Sequence, residues 1–519
     1  MTRTLRELLE GIEGQLAAAD GTELTGEARE KALDTVVTEI TNDSRKIREG
    51  SLFFCIAGAN SNGHAYADQA AAAGASVLFV QEPVDIQCEK KPVLFKTADT
   101  RLAMAQLSAA WYGHPAREMK TIGVTGTKGK TTTTYLIRSI LEAAGKKVGL
   151  IGTIETWFRN AQGEEIARPA SNTTPESIVL QKTFREMADA GVEVVVMEVS
   201  SQALKLHRTE GFIFDLGIFT NLSPDHIGPN EHDSFENYLY CKSLLFRQCR
   251  IGIINGDDPY AEEVTKNAVC SLLHYGFDEK NDLRAQDLQL VHTPGELGVT
   301  FRTEGLIQMQ AHIPTPGRFS VYNALCAIAV CCQFGVPADE IASALKAART
   351  KGRIEMVRVS SEFTLMIDYA HNAVALESLL GTLREYQPHR LVTVFGCGGN
   401  RSKLRRFDMG EVSGKLSDLT IITSDNPRFE EPEDIIADIV TGISRTDGKH
   451  IEIPDRKEAI RYAILHGEPG DIIVLAGKGH EDYQEIKGVK YPMDERVLIR
   501  EVLEEEGIRL PDAPDGKDA

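Results

Sequence analysis

No Cys-x-x-Cys pair occurs among the nine cysteines of this chain, and their one close pair is the adjacent Cys331 and Cys332. That spacing signals neither a zinc site nor a disulfide framework, and reduced thiols of a cytosolic protein are the plain reading. Positive charge is also scarce, with a formal net charge of −19. Phosphate-backbone and anionic-lipid binding draw on concentrated positive charge, so nucleic acid and membrane surfaces are poor partners. Long apolar runs are missing: the longest, Ala324 to Val336, is broken by Gln333 and Gly335 and falls short of a membrane span. The N-terminal MTRTLRELLEGIEGQL is an acidic, amphipathic helical pattern unlike a secretory signal. A cytoplasmic protein without membrane insertion is expected.

What is present is a globular composition, 42% hydrophobic and 26% charged over 519 residues, a length that calls for several cores. Internal repeats are absent. The first hundred residues alternate extended TVVTEITND, a turn at EGSLFFCIAG, helical ADQAAAAGA and the strand SVLFVQ. From Met119 the pattern becomes strand, glycine loop and helix, followed by the buried strands GVEVVVMEVS, FDLGIFTNL and IGIINGD. Such continuous β-branched runs suit parallel sheets covered on both faces. The polar stretch LQLVHTPGELGVTFRTEGLIQMQAHIP reads as antiparallel structure ahead of a helix in VYNALCAIAVCCQFG. Near Lys351 a second α/β block begins, with strands TLMIDYA, RLVTVFGC, LTIITSD and DIIVLAG between helices. The expectation is an α/β protein of three domains. These are a small N-terminal α/β domain (1–100), a central P-loop ATPase-type domain with a parallel sheet (101–350) and a C-terminal Rossmann-like domain (351–519). The tail PDAPDGKDA reads as disordered.

The strongest local signal is GVTGTKGKTTT, Gly123 to Thr133. A strand that ends in glycines and opens a helix turns backbone N–H groups toward phosphate oxygens. Gly126 and Gly129 allow close approach, Lys130 supplies a charge between the outer phosphates, and the Thr131 hydroxyl suits Mg²⁺. The Walker spacing fails by one residue, because Val124 stands where its first glycine belongs. A glycine turn with no ligand is the bland alternative. Glu198, beside Ser200 and Ser201, and Asp225 with His226 close two further strands, where ligands of open α/β sheets bind. Together they offer oxygen and nitrogen donors for one or two Mg²⁺ ions.

GTKGKTTT, MEVSSQAL, FTNLSPDH, NYLYCKSLLF, GRFSVYNALCAIA, GRIE, DYAH and GKGHE stand in the order found in Mur ligases, and the chain resembles that family over nearly its whole length. The front segment ITNDSRKIREGSLFFCIAGANSNGH resembles the UDP-binding domain of its MurE type. The resemblance implies an ATP-dependent carbon–nitrogen ligase of peptidoglycan precursor synthesis. The D-glutamate carboxylate of UDP-N-acetylmuramoyl-dipeptide takes the γ-phosphate of ATP, and an amine then attacks the acyl phosphate. It implies Lys130, Glu198, His226 and Lys242 as catalytic residues, and ATP contacts from Gly126, Thr127, Lys128, Gly129, Lys130, Thr131, Thr132, Asn323, Arg353, Asp368 and His371. It also implies Mg²⁺ on Thr131, Glu198, His226 and a Lys242 carbamylated by CO₂. Ser44, Arg45, Asn172, Thr173, Thr174, Ser200 and Arg208 would hold the UDP-muramoyl-peptide. A monomer is expected, with a nucleotide-sugar dipeptide and a diamino acid as its small-molecule substrates.

In SDNPRFEEP the resemblance is to the form of the motif used for meso-diaminopimelate. That amine has a second carboxylate at its far end, which lysine lacks, and Arg428 is suited to pair with it bidentately. Arg401, Asp425, Asn426, Pro427, Gly477 and Glu481 complete the expected amino-acid site, with Glu481 receiving the neighbouring ammonium. Alternatives are the same ligation with lysine or another diamino acid, a folylpolyglutamate-like ligase, and a catalytically silent nucleotide-binding paralogue. Three segments depart from the family pattern: GGNR with Asn400 for a carboxylate, DYAHNAVALES, and the long HIGPNEHDS with His232 displaced.

Overall fold

The computed structural model describes residues 2–58, 61–224, 227–228, 231–293 and 296–509. The chain divides into two compact units, Met1–Asp282 with Ala329–Phe334, and Leu283–Ile328 with Gly335–Ala519.

The first unit begins with a five-stranded sheet, in which Glu39–Thr41, Ser51–Phe54, Ala75–Val80 and Val93–Lys96 run parallel and Gln15–Ala17 pairs antiparallel at the edge. The stretch read as a turn around SLFF is thus a buried strand, since all four of its side chains are covered. Phe54, Phe79 and Phe95 pack with tilted rings across one face, centroids 5.0 and 4.6 Å apart, under the helix Thr100–Trp111. The expected N-terminal amphipathic helix is a single turn, Leu5–Leu8, closed by a Thr4/Glu7 capping box. Gly11 beyond it has φ +76°, which a continuing helix does not allow.

The same unit holds a larger sheet. Lys120–Thr125 lies between Val194–Glu198 and Phe214–Phe219, all parallel, with Val148–Ile151, Cys249–Asn255 and Ser271–Gly276 continuing the parallel order outward. The hairpin Glu155–Arg159 and Glu165–Pro169 extends one edge antiparallel. Register places Glu198 beside Val124 and Phe219 beside Thr125, so these central strands end level with one another. Val195, Met197, Phe214 and Phe219 bury one face against Leu180, Phe184 and Met187 of the helix Ser177–Asp189.

In the second unit the polar stretch forms antiparallel Leu283–Thr293, Glu296–Gly305 and Met309–Ile313, followed in the chain by the helix Arg318–Gln333, of which residues 318–328 belong to this unit. Its main sheet has the order Glu355–Val357, Thr364–Asp368, Ile472–Ala476, Leu391–Phe395, Leu419–Ile422, His450–Glu452, parallel except for the first strand. Ala373–Arg384 and Pro432–Ile443 cover one face, while Arg456–Leu465 and Glu495–Glu505 cover the other. This is the doubly wound arrangement expected of strands alternating with helices. Among the described residues no helix is long and apolar enough to cross a membrane.

Candidate active site

Gly126 leaves its strand at φ +151°, and a Cβ there would sit 1.9 Å from Thr220 Oγ1, so no side chain fits. Gly129, at φ +85°, caps the helix Lys130–Ala143. The loop between them is held from the next strand end. Lys128 N–H donates to Asn221 Oδ1 (2.9 Å), while Thr220 Oγ1 and Asn221 Nδ2 donate to the Lys128 carbonyl at 2.7 and 2.9 Å. Thr127 N–H donates to the Asn221 carbonyl at 2.9 Å. The Thr127 side chain meets Tyr238 OH at 3.1 Å and accepts from Ser223 N–H at 3.0 Å. Lys130 Nζ curls onto the Gly126 and Thr127 carbonyls at 2.9 and 3.1 Å, Lys128 is exposed, and Thr132 is half-buried.

Buried Glu198 accepts from Thr131 Oγ1 and from Thr153 N–H at 2.9 Å each through Oε1, and from Thr153 Oγ1 at 2.9 Å through Oε2. Gly152 makes room for this carboxylate, since a Cβ there would lie 2.5 Å from Oε1. Thr153 also meets Thr173 Oγ1 at 3.1 Å. Thr174 Oγ1 donates to the Glu198 carbonyl (2.9 Å) and accepts from Ser200 N–H (3.0 Å), which joins the expected substrate residues to the carboxylate strand. Thr153, Thr220 and Asn221 were not singled out from the sequence. Their signal was position alone, polar residues directly after buried strands.

Lys242 is only 1% exposed; its Nζ donates to the Gly126 carbonyl at 2.9 Å and lies 4.5 Å from the Tyr238 ring centroid. A surface lysine is therefore excluded. His232 is buried, with Nε2 2.8 Å from Ser201 Oγ and Nδ1 2.9 Å from Asn237 Oδ1. His226 and Asp225 lie outside the described residues. Among the described residues no group of three or more His, Cys, Asp or Glu side chains is poised around a metal.

Arg208 donates to the Thr174 carbonyl (3.0 Å) and pairs with Glu176 at 2.5 Å, and Glu176 stands 3.9 Å from Arg101. Asn172 is exposed. Ser44 and Arg45 open a short 3₁₀ turn, where Arg45 lies against Asp43 at 2.8 and 2.9 Å and holds that carboxyl down at about 2.

In the second unit, Arg353 lies over the Tyr369 ring (4.5 Å), and that ring sits between His371 and His480 at 4.5 and 4.8 Å. Asp368 accepts from Ile354 and Ala370 N–H at 2.9 and 2.8 Å, and burial pushes its carboxyl above the ordinary range. His371 is exposed, its Nδ1 2.9 Å from the Tyr369 carbonyl. Asn323 is buried within its helix.

The expected amino-acid residues gather at the ends of Leu419–Ile422 and Ile472–Ala476. Asn426 Nδ2 donates to Glu481 Oε2 (2.9 Å), and fully buried Lys478 donates to the same oxygen (3.1 Å) and to Asn426 Oδ1 (3.2 Å). Asp425 stands 3.8 Å from Lys478 and borders Gly477, whose φ is +106°. Pro427 gives its carbonyl to Glu430 N–H and packs so close to Gly399 that a Cβ there would lie 1.9 Å from it. Arg428, half-buried at φ +53°, donates through Nη1 to the Gly399 carbonyl (2.7 Å) and through Nε to Glu485 Oε2 (3.1 Å). Gly398 borders both it and exposed Arg401. Lys478 and Glu485 went unnoticed in the sequence. Behind the cluster, the buried Arg456–Glu495 pair (2.7 Å) donates to the Ser424 and Ala476 carbonyls through Arg456, fixing both strand ends.

Comparison with known proteins gives three family matches: the Mur ligase family, catalytic domain, at residues 36–112, the Mur ligase middle domain at 124–331, and the Mur ligase, glutamate ligase domain, at 352–479. A UDP-N-acetylmuramoyl-L-alanyl-D-glutamate–2,6-diaminopimelate ligase of Clostridium acetobutylicum is 42% identical over 91% of this chain and 96% of its own. One of the same name from Alkaliphilus metalliredigens is 41% identical over 97% and 98%. A solved structure with that name superposes with a TM-score of 0.70 at 27% identity, covering 98% of this chain and all of its own. A folylpolyglutamate synthase of Mycobacterium tuberculosis, at 18% identity and TM-score 0.56 over 79% of this chain and 96% of its own, shares the fold alone.

Proposed function

The chain belongs to the Mur ligase family, and from that membership we infer that it joins 2,6-diaminopimelate to UDP-N-acetylmuramoyl-L-alanyl-D-glutamate in peptidoglycan precursor synthesis, with ATP converted to ADP and phosphate. The observation that carries the chemistry is the set of groups at three level strand ends. Lys130 and Lys242 aim at one loop carbonyl, and Thr131 lies on the Glu198 carboxylate. In the first step the D-glutamyl carboxylate bonds to the γ-phosphorus and ADP leaves. In the second the amine bonds to the acyl carbon, phosphate leaves, and the amine loses a proton. Two anions must meet, so cationic Lys130 and the N–H groups of the loop hold the phosphates in place.

Thr131 and Glu198 are hard oxygen donors already in contact, which fits Mg²⁺. His226 and Lys242, the latter as a carbamate, complete the proposed ligand set. When bound, Mg²⁺ neutralises charge between carboxylate and triphosphate. Thr173, Thr174, Ser200 and Arg208 are assigned to the muramoyl-peptide, together with Asn172, Ser44 and Arg45. Asn323, Arg353, Asp368 and His371 are assigned to the nucleotide by the same reading. A division into three domains is supported by the three successive family matches, which favour a second boundary near residue 350 and a first one after residue 112, later than the expected 100. ATP and a nucleotide sugar as substrates put the reaction in the cytoplasm.

For the amine, Arg428 is assigned to the far carboxylate and Glu481 to the ammonium beside it, flanked by Arg401, Asp425, Asn426, Pro427 and Gly477. A site built around that carboxylate leaves guanidinium donors without an acceptor when lysine enters. ADP release with the nucleotide-sugar dipeptide and each amine in turn should favour diaminopimelate over lysine by about a hundredfold or more in kcat/KM. Equal use of lysine removes the assignment of Arg428, and absence of amine-dependent ADP release removes the ligase reading itself.

A further inference from the structure

The side chain that Arg428 leans on belongs to no assigned part of the site. Glu485 lies in the hairpin of Tyr483–Ile486 with Val489–Pro492. The hairpin is fastened to the Arg428 backbone, for Arg428 N–H donates to the Glu485 carbonyl (2.9 Å) and Lys487 N–H to the Arg428 carbonyl (2.6 Å). Glu485 N–H is tied in turn to Asn426 Oδ1 at 2.9 Å. On this frame Glu485 Oε2 takes Arg428 Nε at 3.1 Å, the Gly399 carbonyl takes Nη1 at 2.7 Å, and among the described residues Nη2 has no hydrogen-bond partner. Both side chains are about a quarter exposed, at 23% and 24%. The opposing Lys490 is directed to the Tyr483 ring, 3.8 Å from its centroid, instead of to Glu485.

We propose that Glu485 is a positioning residue for the amine: by holding Nε of Arg428 it aims the remaining guanidinium donors at the far carboxylate of the diamino-dicarboxylic acid, and so sets the preference for that acid over an amine lacking it. The inference rests on the assignment of Arg428 above. An arginine is a long, rotamer-rich side chain, and one fixed at Nε and Nη1 before the ligand arrives loses less freedom on binding. The same carboxylate also draws off positive charge, which opposes binding of an anion. Charge-neutral and shortened variants separate the two effects.

The test measures ADP release by the full chain with diaminopimelate and with lysine, for Glu485→Ala, Glu485→Gln, Glu485→Asp and Arg428→Met. Glu485→Ala should raise KM for diaminopimelate about five- to tenfold, with kcat within about twofold and KM for lysine and ATP unchanged. Glu485→Gln, whose amide oxygen still accepts from Nε, should restore most of the loss, whereas the shorter Glu485→Asp should not. If Glu485→Ala does not fold, the Gln and Asp pair carries the comparison. Unchanged KM for diaminopimelate, a lowered KM in Ala and Gln alike, or an equal rise for lysine each overturns the proposal. If Arg428→Met keeps the wild-type preference, the assignment of Arg428 has failed; if it loses that preference while the Glu485 variants keep theirs, only the role of Glu485 has.

Discussion

Thr153→Val tests whether Glu198 must be aimed as well as present. Valine keeps the β-branched shape and the backbone N–H that reaches Glu198 Oε1, but removes the hydroxyl 2.9 Å from Oε2. A hydrogen bond to a charged group contributes about 1.5–3 kcal/mol, and tenfold corresponds to about 1.4 kcal/mol. The expected loss is therefore about ten- to a hundredfold, the range seen when groups that orient metal ligands are removed. Because the carboxylate survives, the loss should fall on the Mg²⁺ dependence. The half-saturating Mg²⁺ for ADP release should rise by about ten- to a hundredfold, with partial recovery at high Mg²⁺. Glu198→Gln should show no such recovery. An unchanged Mg²⁺ curve for Thr153→Val would refute the reasoning, because Thr131 Oγ1 and the Thr153 backbone would then suffice to aim Glu198. Melting temperature serves as the control for folding.

His207, at φ +56°, lies 3.8 Å from Glu210 and 3.4 Å from Asp99, the residue that caps the helix Thr100–Trp111. Glu210 foremost, and Asp99 after it, raise its pKa against the burial that lowers it. A raised folded-state pKa gives stability that is fully present below the unfolded value, about 6.5, and lost as pH rises through the folded value. Thermal melts of wild type and His207→Asn, which tolerates the same backbone, should diverge near pH 6 and converge toward pH 8 or so; a gap independent of pH contradicts this. Lys130 and Lys242 place two ammonium groups on the Gly126 carbonyl, an arrangement that carbamylation of Lys242 would turn from like to opposite charges. Turning-over enzyme in isotopically labelled bicarbonate should therefore show a carbamate resonance that Lys242→Gln lacks, and its absence from active wild type sinks the carbamate.

Legibility followed backbone chemistry. The buried strands were readable because parallel strands covered on both faces are written as nearly continuous apolar runs rich in Val and Ile, as in VEVVVMEV and DIIVLAG. The glycine loop was readable because Gly126 and Gly129 occupy conformations closed to other residues there. SLFF was misread because four residues give too short a window for periodicity, and the N-terminal pattern because Gly11 stops a helix that the apolar spacing alone would continue. The supporting side chains were not readable at all. Thr153 meets Glu198 across 45 positions and Glu485 meets Arg428 across 57, and nothing local in a single chain announces such pairs.

Two departures from the family pattern put an asparagine where its side chain accepts a backbone N–H, and the third includes a buried histidine. Asn400, standing where a carboxylate is usual, sits at φ +52° and accepts Phe429 N–H through Oδ1 at 3.1 Å. Asparagine is one of the few residues that enters that region readily, and its oxygen does there what an aspartate oxygen would do. Asn372, where the family carries a Pro-Asp stretch, caps the helix Ala373–Arg384 by accepting Ala375 N–H at 2.9 Å. His232 is buried between Ser201 and Asn237. Asn400 follows Gly399, whose carbonyl accepts Arg428 Nη1, and holds the N–H of Phe429, so its turn stands directly beside the arginine. In the proposed amine site Glu485 is a charged residue in contact with Arg428, and comparing its Ala, Gln and Asp variants separates aim from charge.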